Sequence, residues 1–141
     1  MRLVEWSHNL DNLIDDLRHK NFLWGSNDCL TFANQAHKAM TARPLADDWV
    51  GDYSCALAAR RHYDNLLQKQ GFDTIVDAID KRLERINVAL PPRGSLVARH
   101  QPENPVIGFV LGVCVGEKIA FISNQGVLFL HSQPDDIFWA I

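Results

Sequence analysis

The segment Trp24-Gly25-Ser26-Asn27-Asp28-Cys29 sets a thiol behind three residues that favour helix caps, just before the run Leu30-Thr31-Phe32-Ala33. A cysteine in the first turn of a helix meets unpaired backbone N–H groups and the positive end of the helix dipole. Both favour thiolate over thiol. With a histidine supplied from elsewhere in the fold, such a thiolate is a nucleophile. The same position also suits a small buried side chain that opens a helix, since free cysteines are among the most buried residues. Cys29 fits either role, and Asn27 and Asp28 support the helix start in both.

A nucleophile of this kind needs a base within hydrogen-bond reach. The six histidines are His8, His19, His37, His62, His100 and His131. His37 lies eight residues after Cys29 on the same expected helix, about 12 Å along its axis, which is too far to deprotonate it. His62 falls on the polar side of a helical stripe and is expected to be solvated. His131 ends an expected strand and could face either way. His100, in a loop before a strand, is the best placed of the six to act as an unconventional base.

Other chemistries find less support. No Cys-x-x-Cys or His-x-x-x-His pair occurs, and Cys29, Cys55 and Cys114 fall on different expected elements, so no metal or other cofactor is expected. A cluster shared with another chain is not demanded by the spacing, and packing is the expected role of Cys55 and Cys114. Gly108, Gly112 and Gly116 recur every four residues on an expected strand and hairpin, not at a strand-to-helix turn that would cradle phosphate. Arg60-Arg61-His62 and Lys81-Arg82 have acids nearby and read as solvated helix faces. Trp49, in a loop beside Asp47 and Asp48, suits an exposed protein–protein contact, and Trp139 an interface anchor. The closing run Ile137-Phe138-Trp139-Ala140-Ile141 suits a strand buried against helices or a sheet edge offered to a partner.

The elements that must position these residues divide the chain in two. Leu3, Trp6, Leu10, Leu13, Ile14 and Leu17 predict an amphipathic helix ending near Lys20. A second helix starts with Cys29 in its first turn, and residues 41–53 read as a loop. Ala56, Ala59, Tyr63, Leu66 and Leu67 mark a third helix stopped by Gly71. A fourth is capped by Asp73, with Ile75, Val76, Ile79, Leu83 and Ile86 on one face. After Pro91-Pro92 the period changes. Strands are expected at 95–99, 106–115, 118–123, 127–131 and 137–141, with Gly116-Glu117 and Asn124-Gln125-Gly126 as hairpin connections. Helices followed by antiparallel strands predict an α+β domain.

Length and charge bound the rest. The 141 residues, 47% hydrophobic and 22% charged, predict one globular domain, helical over about 1–90 and strand-rich over about 93–141. Fourteen basic against seventeen acidic side chains leave a net charge of −3, which gives no broad attraction for nucleic acid or an anionic membrane. Three scattered cysteines suit no disulfide framework. Acidic and polar residues interrupt the first twenty residues, so no signal peptide is expected, and no run is long enough to span a bilayer.

Asp28-Cys29 opening a helix, then Arg93-Gly94-Ser95-Leu96-Val97 and Ile107-Gly108-Phe109-Val110-Leu111-Gly112, resembles the layout of NlpC-type cell-wall peptidases. Those are papain-like cysteine hydrolases with a helix-borne cysteine packed on an antiparallel sheet. Across nearly its full length the chain resembles a small phage-associated family with a diverged NlpC-type fold, encoded among tail genes. Trp24, Gly25, Asp28, Cys29, Gly51, Tyr53, Gly94, Gly108, Gly112, Gly126 and Trp139 carry that resemblance. The departures bear on activity. The histidine that would precede Ile107-Gly108 is replaced by Val106, and Ser95 stands where an acid usually follows the glycine. The strand Lys118–Ser123 has no histidine or amide at its centre. A valine cannot accept a proton, and losing such a base usually costs several orders of magnitude in rate.

The expectation is therefore a structural or assembly protein of a phage tail, near the tail tip, with a degenerate papain-like fold and no hydrolase activity. It would be made in the host cytoplasm, carried in the virion and bound to other tail proteins. The alternative is a cysteine peptidase or amidase acting on peptidoglycan, with Cys29 as nucleophile and His100 or His131 as base.

Overall fold

A computed structural model describes residues 1–104 and 106–141. Four helices come first: α1 (Trp6–Leu17), α2 (Cys29–Thr41), α3 (Ala56–Gln70) and α4 (Ile75–Asp80). Leu10, Ile14 and Leu17, spaced by four and three, form the buried stripe of α1. Asp28 caps α2, which ends in a left-handed turn at Ala42, and Gly71 ends α3 the same way. Thr74, not Asp73, caps α4 by accepting the Asp77 N–H. That helix stops after six residues, short of Leu83 and Ile86. Ile86 instead enters a two-residue strand, Arg85–Ile86, where it pairs with Phe138.

That strand is β1. The others are β2 (Leu96–His100), β3 (Phe109–Cys114), β4 (Lys118–Ser123), β5 (Gly126–His131) and β6 (Ile137–Trp139). They form one antiparallel sheet in the order β1-β6-β2-β3-β4-β5. The expected α+β arrangement of N-terminal helices and a C-terminal antiparallel sheet is thus the observed one. β3 starts three residues later than expected. The Asn104 side chain accepts the N–H groups of Val106 and Ile107 and holds them in a turn. The main core lies between helices and sheet, and a smaller cluster of Val97, Cys114, Ile119, Phe121 and Phe138 lies on the other sheet face.

Trp49, expected as an exposed contact, is a core residue, and so is Trp139, expected as an interface anchor in a strand either buried or at an edge. Trp49 is fully buried. Asn34 of α2 accepts the Leu45 and Ala46 N–H groups at 2.9 and 2.8 Å, which folds the 42–55 loop inward. The Arg82 guanidinium then covers the Trp49 ring at 4.0 Å while pairing with Asp48. Trp139 is fully buried as well, and its indole N–H donates to Asp80 at 2.8 Å. The strand that holds it pairs on both sides, with β1 and β2, so it is no edge.

Candidate functional site

Asp28 organises the start of α2. One carboxylate oxygen accepts the Thr31 N–H at 2.8 Å, the usual N-cap bond. The other accepts the Gly25 N–H at 3.0 Å and the Tyr53 hydroxyl at 2.7 Å. Tyr53 and Tyr63 are hydrogen-bonded at 2.6 Å. Since the carboxylate only accepts, the Tyr53 proton goes to Asp28 and Tyr63 donates to Tyr53. Burial first, then these hydrogen bonds, push the Tyr53 phenol far above its ordinary range. Burial raises Tyr63 too.

Gly25 makes this turn feasible. Its φ is +80°, and a Cβ there would lie 2.7 Å from the Tyr53 carbonyl oxygen. Asn27 does not cap the helix. Its main chain pairs with Leu23, and its side-chain N–H donates to the Asn21 carbonyl at 2.9 Å. Phe22 donates its N–H to Ser123 and sets its ring edge-on to Trp24, which brings this turn against the end of β4.

Cys29 follows the cap and faces a cavity of about 400 Å³. Its thiol is pushed up to about 12. Burial is the largest cause, and the Asp28 charge adds to it. The N–H groups of Leu111, Cys29 and Leu30 pull the other way without prevailing. Of the two roles open to Cys29, the surroundings thus favour the packed thiol over the thiolate. Helix-end N–H groups are present, but removing the sulfur from water outweighs them.

Val106 lines the same cavity, and among the described residues no histidine lines it. His100, the expected candidate base, ends β2 exposed, with its ring 5.2 Å from that of Phe109, and does not line the cavity. His131 is exposed at the end of β5. His37 is held by the Arg43 carbonyl at 2.7 Å. His62 is not solvated as expected: its imidazole meets the Trp49 carbonyl at 2.6 Å and packs against Tyr53 and Tyr63.

Cys55, expected to pack, is exposed ahead of α3, whereas Cys114 is buried on the far sheet face. Among the described residues, no three His, Cys, Asp or Glu side chains converge as metal ligands. No helix among them is long and apolar enough to cross a membrane.

Sequence reasoning passed over one further element of the site. Arg99 lines the cavity, stacks 4.9 Å over Phe121 and pairs in two-pronged fashion with Asp136 at 3.0 and 2.9 Å. The Asp136 side chain is 1% exposed. Its one legible sign was a lone arginine within the apolar strand Leu96–His100, on the same face as Val97.

No curated protein matches the chain. The chain belongs to the family described as a domain of unknown function, DUF6950, whose model matches residues 1–141.

Proposed function

We propose that this protein is a structural or assembly component of a phage tail, near the tail tip, in which a degenerate papain-like scaffold serves as an interaction module rather than a hydrolase. The observation that carries the non-catalytic part is the lining of the cavity that Cys29 faces: among the described residues it includes Val106 and no imidazole, and burial raises the thiol rather than lowering it. Such a thiol carries on the order of a thousandfold less thiolate at neutral pH than a free cysteine titrating near 8.5. The placement in a tail is supported by the resemblance carried by Trp24-Gly25, Asp28-Cys29, Gly94, Gly108 and Gly112. Val106 at the position of the missing base accords with it, because that residue borders the same cavity as the thiol.

Alkylation by iodoacetamide across pH 6–11, read by peptide mass spectrometry, tests this reading. Exposed Cys55 serves as the internal reference. Cys55 should label with ordinary thiol kinetics and Cys29 at least a hundredfold more slowly at pH 7. Cys29→Ala should leave particle assembly and infectivity unchanged. Rapid labelling of Cys29 at pH 6, with peptide release from purified cell wall that Cys29→Ser abolishes, would establish the peptidase instead. The feature favouring that second reading is the opening of Cys29 onto a cavity large enough for a substrate group.

A further inference from the structure

The sheet opens at the cavity. β2 pairs with β3 over five residues and β4 with β5 over six, but the β3–β4 ladder holds only Val113↔Ala120 and Cys114↔Ile119. Individual hydrogen bonds fix which way the backbone points there. Val115 donates its N–H to Lys118, so Val113, Leu111 and Phe109 turn toward β4, and Ala120 and Ile122 turn toward β3. Cys114 bonds to Ser95 and Gly94, which leaves the alternate residues of β3 facing β2. Val127, the partner of Ile122, donates outward to Arg18, so Ile122 has no β5 ladder bond.

Leu111, Phe109 and Ile122 therefore present strand backbone to an opening where their mutual ladder has ended. These residues lie outside the β3–β4 ladder, although Leu111 and Ile122 are buried. The cavity runs through this opening. Phe22, Trp24 and Leu30 line it on the helix side, and Phe121, Leu128 and Leu130 on the other face. Gly112 allows the Phe121 ring to lie there, because a Cβ at Gly112 would sit 2.7 Å from that ring.

We infer that the opening between β3 and β4 is a docking slot for an extended peptide segment of a partner protein, with aliphatic side chains at alternate positions. Buried backbone N–H and C=O groups need partners, and a strand from another chain supplies them with the same two-residue period that fills an apolar lining. A hydrocarbon chain would cover the lining and leave the strand groups unmet, which is unfavourable. This inference rests on the reading of the site as an interaction module.

The test is a titration of the ¹⁵N-labelled full chain. The probe is a pool of N-acetylated, C-amidated hexapeptides with Val, Ile, Leu or Phe at positions 1, 3 and 5 and Ser, Thr or Lys between. The amide resonances of Phe109, Leu111 and Ile122 should shift, and their hydrogen exchange should slow at least tenfold. Leu128→Lys and Leu130→Lys, at positions already 41% and 42% exposed, should each weaken binding at least tenfold. A pool N-methylated at alternate residues should bind at least tenfold more weakly. Absence of these shifts across the pool overturns the inference, as does equal binding by the methylated pool. Dodecanoate producing the shifts while the peptides do not also overturns it. Cleavage of bound peptides, read by mass spectrometry, would overturn the non-catalytic reading and leave the docking slot standing.

Discussion

At the scale of single residues, the start of α2 hangs on one carboxylate with three donors. Asp28 holds its own helix, the Gly25 turn and, through Tyr53, the 42–55 loop. Hydrogen bonds to a charged group contribute about 1.5–3 kcal/mol each. Tyr53→Phe should lower unfolding stability by about that amount, and Tyr63→Phe by less, because Tyr63 reaches the carboxylate only through Tyr53. Asp28→Ala should exceed both, since it removes the cap and strands buried donors. Urea denaturation of the three variants checks the order. Tyr63→Phe matching Asp28→Ala would mean that the chain of hydroxyls is not organised by the carboxylate.

At the scale of elements, the 42–55 loop is a core element with no regular secondary structure. Asn34 draws it inward, Trp49 fills the space, and Arg82 with Asp48 closes over the ring. Trp49→Ala should therefore destabilise by about 3–5 kcal/mol, the range for removing a buried aromatic ring. A surface anchor would cost little stability on truncation and would lose partner binding instead. Thermal melting of the isolated variant separates the two outcomes, and a shift within a degree or two would restore the surface role. The same logic applies to β6, whose pairing on both sides leaves the edges of the sheet to β1 and β5.

For the whole molecule, pH reports how its buried thiols and phenols are held. The Cys29 thiol titrates higher folded than unfolded, so the unfolded chain binds fewer protons above its ordinary pKa of about 8.5. Stability from this group is fully present below that value and is lost as pH rises toward about 12, by up to about 1.4 kcal/mol per pH unit. Cys114, Tyr53 and Tyr63 are raised too and act in the same direction. Urea midpoints should change little from these groups between pH 7 and about 8.5 and fall from there to pH 11, and Cys29→Ser should flatten the slope between about pH 8.5 and 10. An unchanged slope would place the sulfur in water. On the acid side, Arg82 and Arg85 hydrogen bonds hold Asp48 and Asp80 low, so their contribution is present above about pH 4 and lost as pH falls through their folded values.

Periodicity alone determined much of this protein. The stripe Leu10-Ile14-Leu17, the cap at Asp28, the stop at Gly71 and the change to period two after Pro91-Pro92 are local features. Each was legible because a helix turn or a strand pleat repeats within a few residues. So was the class of fold. What became of Cys29, Trp49, Trp139, His62 and Ile86 was decided by residues far away in the chain. The helix-start N–H groups that would ionise Cys29 are local, but the desolvation that keeps it protonated comes from tertiary packing around the thiol. Trp49 sits among acids and glycine in sequence and became core because Asn34 and Arg82 closed around it. Ile86 matched a helical stripe and joined a sheet because Phe138 offered it a partner. Desolvation and strand pairing depend on which segments meet, and that is set only when the chain is closed into three dimensions.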